Sequence, residues 1–213
     1  MRGRIGRLVV VGGHSRGVGK TAMIEHVLRS RPDGPWVAVK ISAHRHAPDG
    51  TAPPVLEEAC EPAPTAQTGR YLAAGAARAW LCRCQNQRLA DAAAFVDGLL
   101  DQGRNVIVES NRIVRFIRPD ELLFVVSDRI DDWKASSAWA LPRADAIVLA
   151  PGSSRVPPRA VAVGGSRVAG LPVFAFTEWS TIRGLGRWLD QRVAGLPRGN
   201  SGRTASTGNA SSR

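Results

Sequence analysis

No apolar run in these 213 residues approaches the roughly 18 to 20 needed to cross a bilayer. The longest clean ones, Leu8–Val11 and Leu122–Val126, are strand-sized, so a membrane-spanning helix is excluded. Cysteine is scarce as well. Cys60, Cys82 and Cys84 are an odd number in a chain long enough to bury its own core, so no disulfide framework is needed and the thiols are expected to be reduced. The basic opening Met1–Arg7 resembles the start of a secretion signal, but only four apolar residues separate it from Gly12-Gly13-His14, and a cytoplasmic location is expected. Scarcest among the charged residues is lysine: Lys20, Lys40 and Lys134 are three of 29 basic side chains, the rest being arginine. A compact, rotatable ammonium is not replaceable by a planar guanidinium in a tight phosphate cradle, which makes these three positions stand out.

The formal net charge of +11 is less telling than it looks, because Arg2, Arg4 and Arg7 at one end and Arg198, Arg203 and Arg213 at the other carry six of those charges. The remaining +5 over residues 8–197 is dispersed as single arginines, a pattern that reads as a solvated surface rather than a nucleic-acid face. Residues 197–213 are rich in Gly, Ser, Thr and Asn with almost no apolar side chains. They are expected to form a disordered basic tail after one domain spanning 1–196.

Short apolar runs at Arg4–Gly12, Trp36–Ile41, Ala79–Cys84, Asn105–Glu109, Leu122–Ser127, Ala144–Leu149 and Pro172–Phe176 read as strands. Helical spacing is visible in Thr21–Arg31, in a segment from a cap at Asn86 to Gln102, in Asp131–Ala140 and in Ser180–Ala194. Strands alternating with helices predict an α/β fold with a mostly parallel sheet covered on both faces. The Pro- and Ala-rich stretch from His44 to Thr68 reads as an active-site loop or flap. Trp80, Trp139 and Trp188 lie on apolar faces and are expected to pack in the core.

The strongest chemical signal is Val9-Val-Val-Gly-Gly13-His14-Ser15-Arg16-Gly17-Val18-Gly19-Lys20-Thr21-Ala22, a strand, a glycine-rich turn and a helix in the order of a P-loop. Gly17 and Gly19 would let backbone N–H groups converge on phosphate oxygens. Lys20 would reach the terminal phosphates, and Thr21 would ligate Mg²⁺. His14 stands where the strict pattern has its first glycine, and Gly13 supplies that glycine one residue earlier. Residues 13–22 are thus the candidate nucleotide-binding stretch.

The spacing from Gly13 to Val18-Gly19-Lys20-Thr21 resembles dethiobiotin synthetase and the deviant P-loop class that also holds the molybdopterin-guanine dinucleotide biosynthesis protein B (MobB) family. The partition-type ATPases of that class carry a signature lysine where this chain has Ser15, which disfavours that branch. Similarity to the MobB family extends over most of residues 5–195. Val37-Ala-Val-Lys40-Ile-Ser-Ala-His44-Arg-His46 looks like its strand, lysine and histidine segment. Thr68-Gly-Arg70-Tyr-Leu-Ala-Ala74-Gly75-Ala76 and Asn105-Val-Ile-Val-Glu109 are similar to two further stretches. Ser110 replaces the glycine that follows the acidic residue in that family, and Asn111-Arg112 stands where a lysine usually follows. The resemblance implies a P-loop NTPase fold, GTP as nucleotide, a dimer, and an accessory role in molybdenum cofactor maturation beside a nucleotidyltransferase or molybdoenzyme.

Glu109 ends a buried strand where parallel sheets place ligands, so it is the candidate to hold Mg²⁺ or orient water. Asp128, after the next strand, is the weaker candidate. With Lys20, Glu109 forms the expected catalytic pair. Lys40, Arg45, His46 and Arg70 are candidate contacts for phosphate or substrate. His44 and His46 with Cys82 and Cys84 match no familiar zinc spacing. The base-reading N-K-x-D of most GTPases does not appear near Val148–Ser154, so the residues themselves leave GTP and ATP open. Two further readings follow. One is an ATP-dependent ligase of the dethiobiotin synthetase type. The other is a non-enzymatic nucleic-acid binder with a steep salt slope that vanishes when the arginine-rich ends are removed.

Overall fold

A computed structural model describes residues 5–31, 35–43, 53–178 and 181–193. Within them nine strands join in one sheet, in the order β3-β4-β2-β5-β1-β6-β7-β8-β9. Seven of these are parallel: β1 (Leu8–Gly13), β2 (Trp36–Ser42), β4 (Arg78–Arg83), β5 (Asn105–Glu109), β6 (Glu121–Val126), β7 (Ala146–Leu149) and β8 (Val173–Glu178). The outer strands β3 (Val55–Glu58) and β9 (Thr181–Ile182) run antiparallel.

Side chains along the central strands alternate between two cores, as the two-residue period of a strand requires. Leu8, Val10, Val106, Val108, Leu122 and Phe124 face α3 (Leu89–Asp101), α4 (Ser137–Ala140), α5 (Pro158–Gly164) and α6 (Ser166–Ala169). Val9, Val11, Ile107, Leu123 and Val125 face α1 (Lys20–Ser30), α2 (Gln67–Ala73) and α7 (Leu185–Val193). Burial on both faces explains why these strands read as unbroken apolar runs. Trp80 and Trp139 pack against the first core and Trp188 against the second, as expected. No helix of the described residues is long and apolar enough to cross a membrane.

Several local expectations are corrected. The His44–Thr68 stretch is not loop throughout: residues 53 onward include β3, an exposed edge strand held by backbone pairing to β4 and by ion pairs of Glu57 with Arg83 and Glu58 with Arg78. Asn86 does not cap α3, because its Oδ1 accepts from Arg112 Nη1 (2.8 Å) and a short 3-10 turn intervenes. Of the helix expected over 131–140 only α4 forms, since the preceding residues bond to the glycine turn instead, with Lys134 N–H donating to His14 O (2.8 Å). The last helix begins at Leu185 because Thr181–Ile182 pairs with β8. The tail from 197 and the candidates Arg45 and His46 lie outside the described residues.

Register positions the chemistry. Strand β1 lies at the middle of the sheet, with β5 on one side and β6 on the other, and Val11 aligns with Glu109. Lys40 on β2 aligns with the same Glu109. A crevice at the carboxyl ends of parallel strands, where the connections diverge, is where this architecture takes ligands.

Candidate functional site

At the end of β1 the backbone leaves the sheet, turns through Gly17 (φ 72°) and Gly19 (φ 104°), and enters α1 at Lys20. The left-handed conformation at Gly19 suits a residue without Cβ, and its N-cap position has no side-chain cap, so the first N–H groups of α1 open towards the cleft. Asn111 holds the start of the turn from the next strand's end. Its Oδ1 accepts from Gly13 N–H (2.8 Å) and its Nδ2 donates to Gly13 O (2.9 Å). A methyl on Gly13 would meet Val18 Cγ1 at 2.7 Å and Lys20 Cγ at 3.0 Å. Gly13→Ala is therefore expected to lower stability by about 1–3 kcal/mol in urea denaturation and to displace Lys20.

Lys20 Nζ donates to Ser15 O (2.7 Å). Burial lowers its pKa to about 8, with Glu109 opposing that shift and Lys134 and Lys40 adding to it. Thr21 Oγ1, one residue on, donates to Glu109 Oε2 (3.3 Å) and accepts from Gln67 Nε2 (3.0 Å). Glu109 also forms an ion pair with Lys40 (3.0 Å) and accepts from the hydroxyl of Tyr71, the chain's one tyrosine. Burial pushes the Glu109 pKa up, but Lys40, the Tyr71 hydroxyl and Lys20 together outweigh it and hold the carboxyl below its ordinary range. Burial beside that carboxylate pushes the Tyr71 hydroxyl well above its own, so it stays a donor. Gln67 and Tyr71 reach these groups together because they stand four apart on α2.

These residues open into a cleft of about 780 Å³, within the range of small-ligand pockets. Among the described residues its lining includes the cations Arg16, Lys20, Lys40, Arg70, Arg112 and Lys134 and one carboxylate, Glu109, an arrangement suited to a polyanion. All three lysines of the chain are among them.

No protein-family model and no curated protein sequence matches the chain. Among solved structures, signal recognition particle 54 kDa protein from Aeropyrum pernix K1, in complex with GDP, is similar at 13% identity with a TM-score of 0.49 over 91% of this chain and 47% of that one. LpxK from Aquifex aeolicus, in complex with ATP, is similar at 14% identity with a TM-score of 0.47 over 80% and 53%. The chain thus spans about half the length of each.

Of the residues singled out by sequence, Arg16, Gly17, Gly19, Lys20, Thr21, Ala22, Lys40, Arg70 and Glu109 line the cleft. Arg70 is also paired with Glu25 (2.6 Å). Gly13, His14, Ser15 and Val18 do not line it. Val18 is in the core, Ser15 Oγ donates to Asp132 (3.3 Å), and the buried His14 ring packs on Trp133 with 4.5 Å between centroids. Its Nε2–H donates to Ile130 O (3.0 Å), and burial lowers its pKa. Asp128 stands apart from the cleft, accepting from Ser154 Oγ (3.0 Å). Cys82 on β4 and Cys84 just after it are buried thiols. Sequence reasoning missed Gln67, Asn111 and the cleft position of Lys134. Of these only Lys134 carried a signal, its rarity.

Proposed function

We propose that this cleft binds a purine nucleoside triphosphate with Mg²⁺ and hydrolyses it. The observation that carries the reading is that Lys20, Thr21 and Glu109 meet beneath a glycine turn whose helix-start amides face the same space. Thr21 Oγ1 and the charged Glu109 carboxylate are hard oxygen donors of the kind Mg²⁺ takes, so the residues present fit the ion. When bound, Mg²⁺ would neutralise charge on phosphate oxygens. Lys20 exchanges the Ser15 carbonyl for phosphate oxygens, and the amides at the start of α1 accept the remaining negative charge. Glu109 orients water towards the γ-phosphorus. Water forms the new P–O bond as the bond to the bridging oxygen breaks, and Lys20 with the loop amides stabilises the charge that develops.

Lys20 must carry its proton to hold phosphate, and its pKa stands at about 8 in the free protein. Affinity is therefore expected to be full below that pH and to fall by up to about tenfold for each unit above it, as calorimetry in a buffer series would record.

GTP and an accessory role in molybdenum cofactor maturation, served by a homodimer beside a nucleotidyltransferase or molybdoenzyme, are the finer form of this reading. It is supported by the convergence on one cleft of Lys40, Arg70 and Glu109, which come from the three stretches similar to MobB proteins. A ligase of the dethiobiotin synthetase type is the second reading, favoured by cleft cations beyond the turn, Arg70 and Arg112, that would suit a carboxylated substrate. Titration with GTP and ATP analogues that resist hydrolysis, with Mg²⁺, separates them. GTP preference supports the first and ATP preference the second, while no binding of either refutes both.

A further inference from the structure

Arginines that are scattered singly along the sequence meet at the end of the sheet opposite the glycine turn. There the segments before β6 and β7, α6 and the end of α7 enclose a second cleft of about 610 Å³. Its lining includes Arg115, Arg118, Arg143, Arg167 and Arg192 against two carboxylates, Asp120 and Asp145. Both carboxylates are committed to the fold, Asp120 accepting from Leu8 N–H (2.7 Å) and Asp145 from Leu122 N–H (2.9 Å). Arg167 and Arg192 lean on acidic neighbours at 3.6 Å, Asp145 and Glu121.

Arg115 and Arg143 are held differently. The Arg115 guanidinium lies 4.6 Å from the Trp139 ring centroid and 5.8 Å from that of Phe116, and Arg143 Nη1 donates to Trp139 O (2.6 Å). Among the described residues neither has a carboxylate within ion-pair distance. Stacking occupies the face of a guanidinium and leaves its N–H edge to donate. Phe116, 44% exposed, adds an aromatic surface to the same cleft.

We propose that this cleft is a second ligand site, separate from the glycine-turn cleft, that takes a phosphorylated aromatic molecule of nucleotide chemistry. The arginine forks hold phosphate oxygens and Phe116 stacks on the ring. Such a group could come as a free nucleotide or as the end of a single-stranded oligonucleotide.

The test uses the full chain carrying Lys20→Met, which weakens the first cleft and leaves the second untouched. Equilibrium dialysis measures binding of a nucleoside diphosphate, inorganic pyrophosphate and a short single-stranded oligonucleotide, with and without Arg115→Ala/Arg143→Ala. Circular dichroism checks that the exposed arginine changes leave the fold intact. The expected result is saturable diphosphate binding, one per chain, weakened roughly tenfold or more by the double change. Phe116→Ala should weaken the nucleoside diphosphate but not pyrophosphate. Oligonucleotide binding tighter than the free nucleotide, with the same arginine dependence, assigns the ligand to a polynucleotide end. No diphosphate binding to the Lys20→Met chain, or binding that ignores Arg115 and Arg143, overturns the proposal. Equal loss of pyrophosphate and diphosphate in Phe116→Ala overturns the stacking.

Discussion

Lys20→Met is expected to weaken nucleoside triphosphate binding by roughly a hundredfold or more while leaving the protein as stable as before, or more so. The two halves of this result have one cause. A half-buried ammonium whose pKa has fallen from 10.5 to about 8 is held in its charged form against the preference of its surroundings. In the unfolded chain it would keep the higher value. At neutral pH the charge therefore opposes folding, and the opposition fades as pH rises through the folded value towards the unfolded one. Methionine keeps most of the apolar stem and removes that cost. It also removes the cation that reaches over the turn to Ser15 O, where phosphate oxygens would sit in the proposed complex. Calorimetry with a triphosphate analogue and thermal unfolding of the same samples check both. Unchanged affinity would refute the phosphate role, and a large drop in stability would show that Lys20 serves the fold.

Much of this site was legible because its chemistry is local in sequence. Gly17, Gly19, Lys20 and Thr21 are neighbours whose spacing carries its own geometry, and the strand before them is an unbroken apolar run buried on both faces. Glu109 was legible for a related reason, as a charge ending a buried strand. What escaped depends on contacts between distant segments. Gln67 is a polar residue in a short helix with no periodic signal, and only the packing of α2 on α1 brings it to Thr21. Asn111 reads as a loop amide until β1 and β5 are paired in register. The stretch before α4 has helical spacing, yet its amides find better partners in the glycine turn, and tertiary bonding overrides propensity. Edge strand β3 has all four residues exposed, so no alternation marks it. The arginines at the far end of the sheet looked dispersed because the segments that carry them meet only in the folded chain.

Replacing Glu109 by glutamine is expected to do two separable things. Hydrolysis should fall by about 10²–10⁴-fold, the range for a positioned carboxylate that manages water or its proton. Stability should fall too, by up to about 3 kcal/mol, because Lys40 is left without its anion. The lower end of the range for broken buried pairs applies, since the Lys40 side chain is 19% exposed and its ammonium can turn towards water. The carboxylate is ionised above its depressed folded pKa, so the stabilisation it brings is present above its unfolded value and is lost as pH falls through the folded one. Adding Lys40→Met to Glu109→Gln removes the orphaned cation and is expected to recover most of the lost stability while hydrolysis stays at the lowered rate. Steady-state phosphate release and urea denaturation on the two variants separate the roles. If the double variant regains both stability and turnover, Glu109 serves only to neutralise Lys40. If it regains stability alone, the carboxylate acts on the reacting groups, and Tyr71, which donates to it, and Gln67, which reaches Thr21 beside it, are positioning residues that hold it and its neighbour in place.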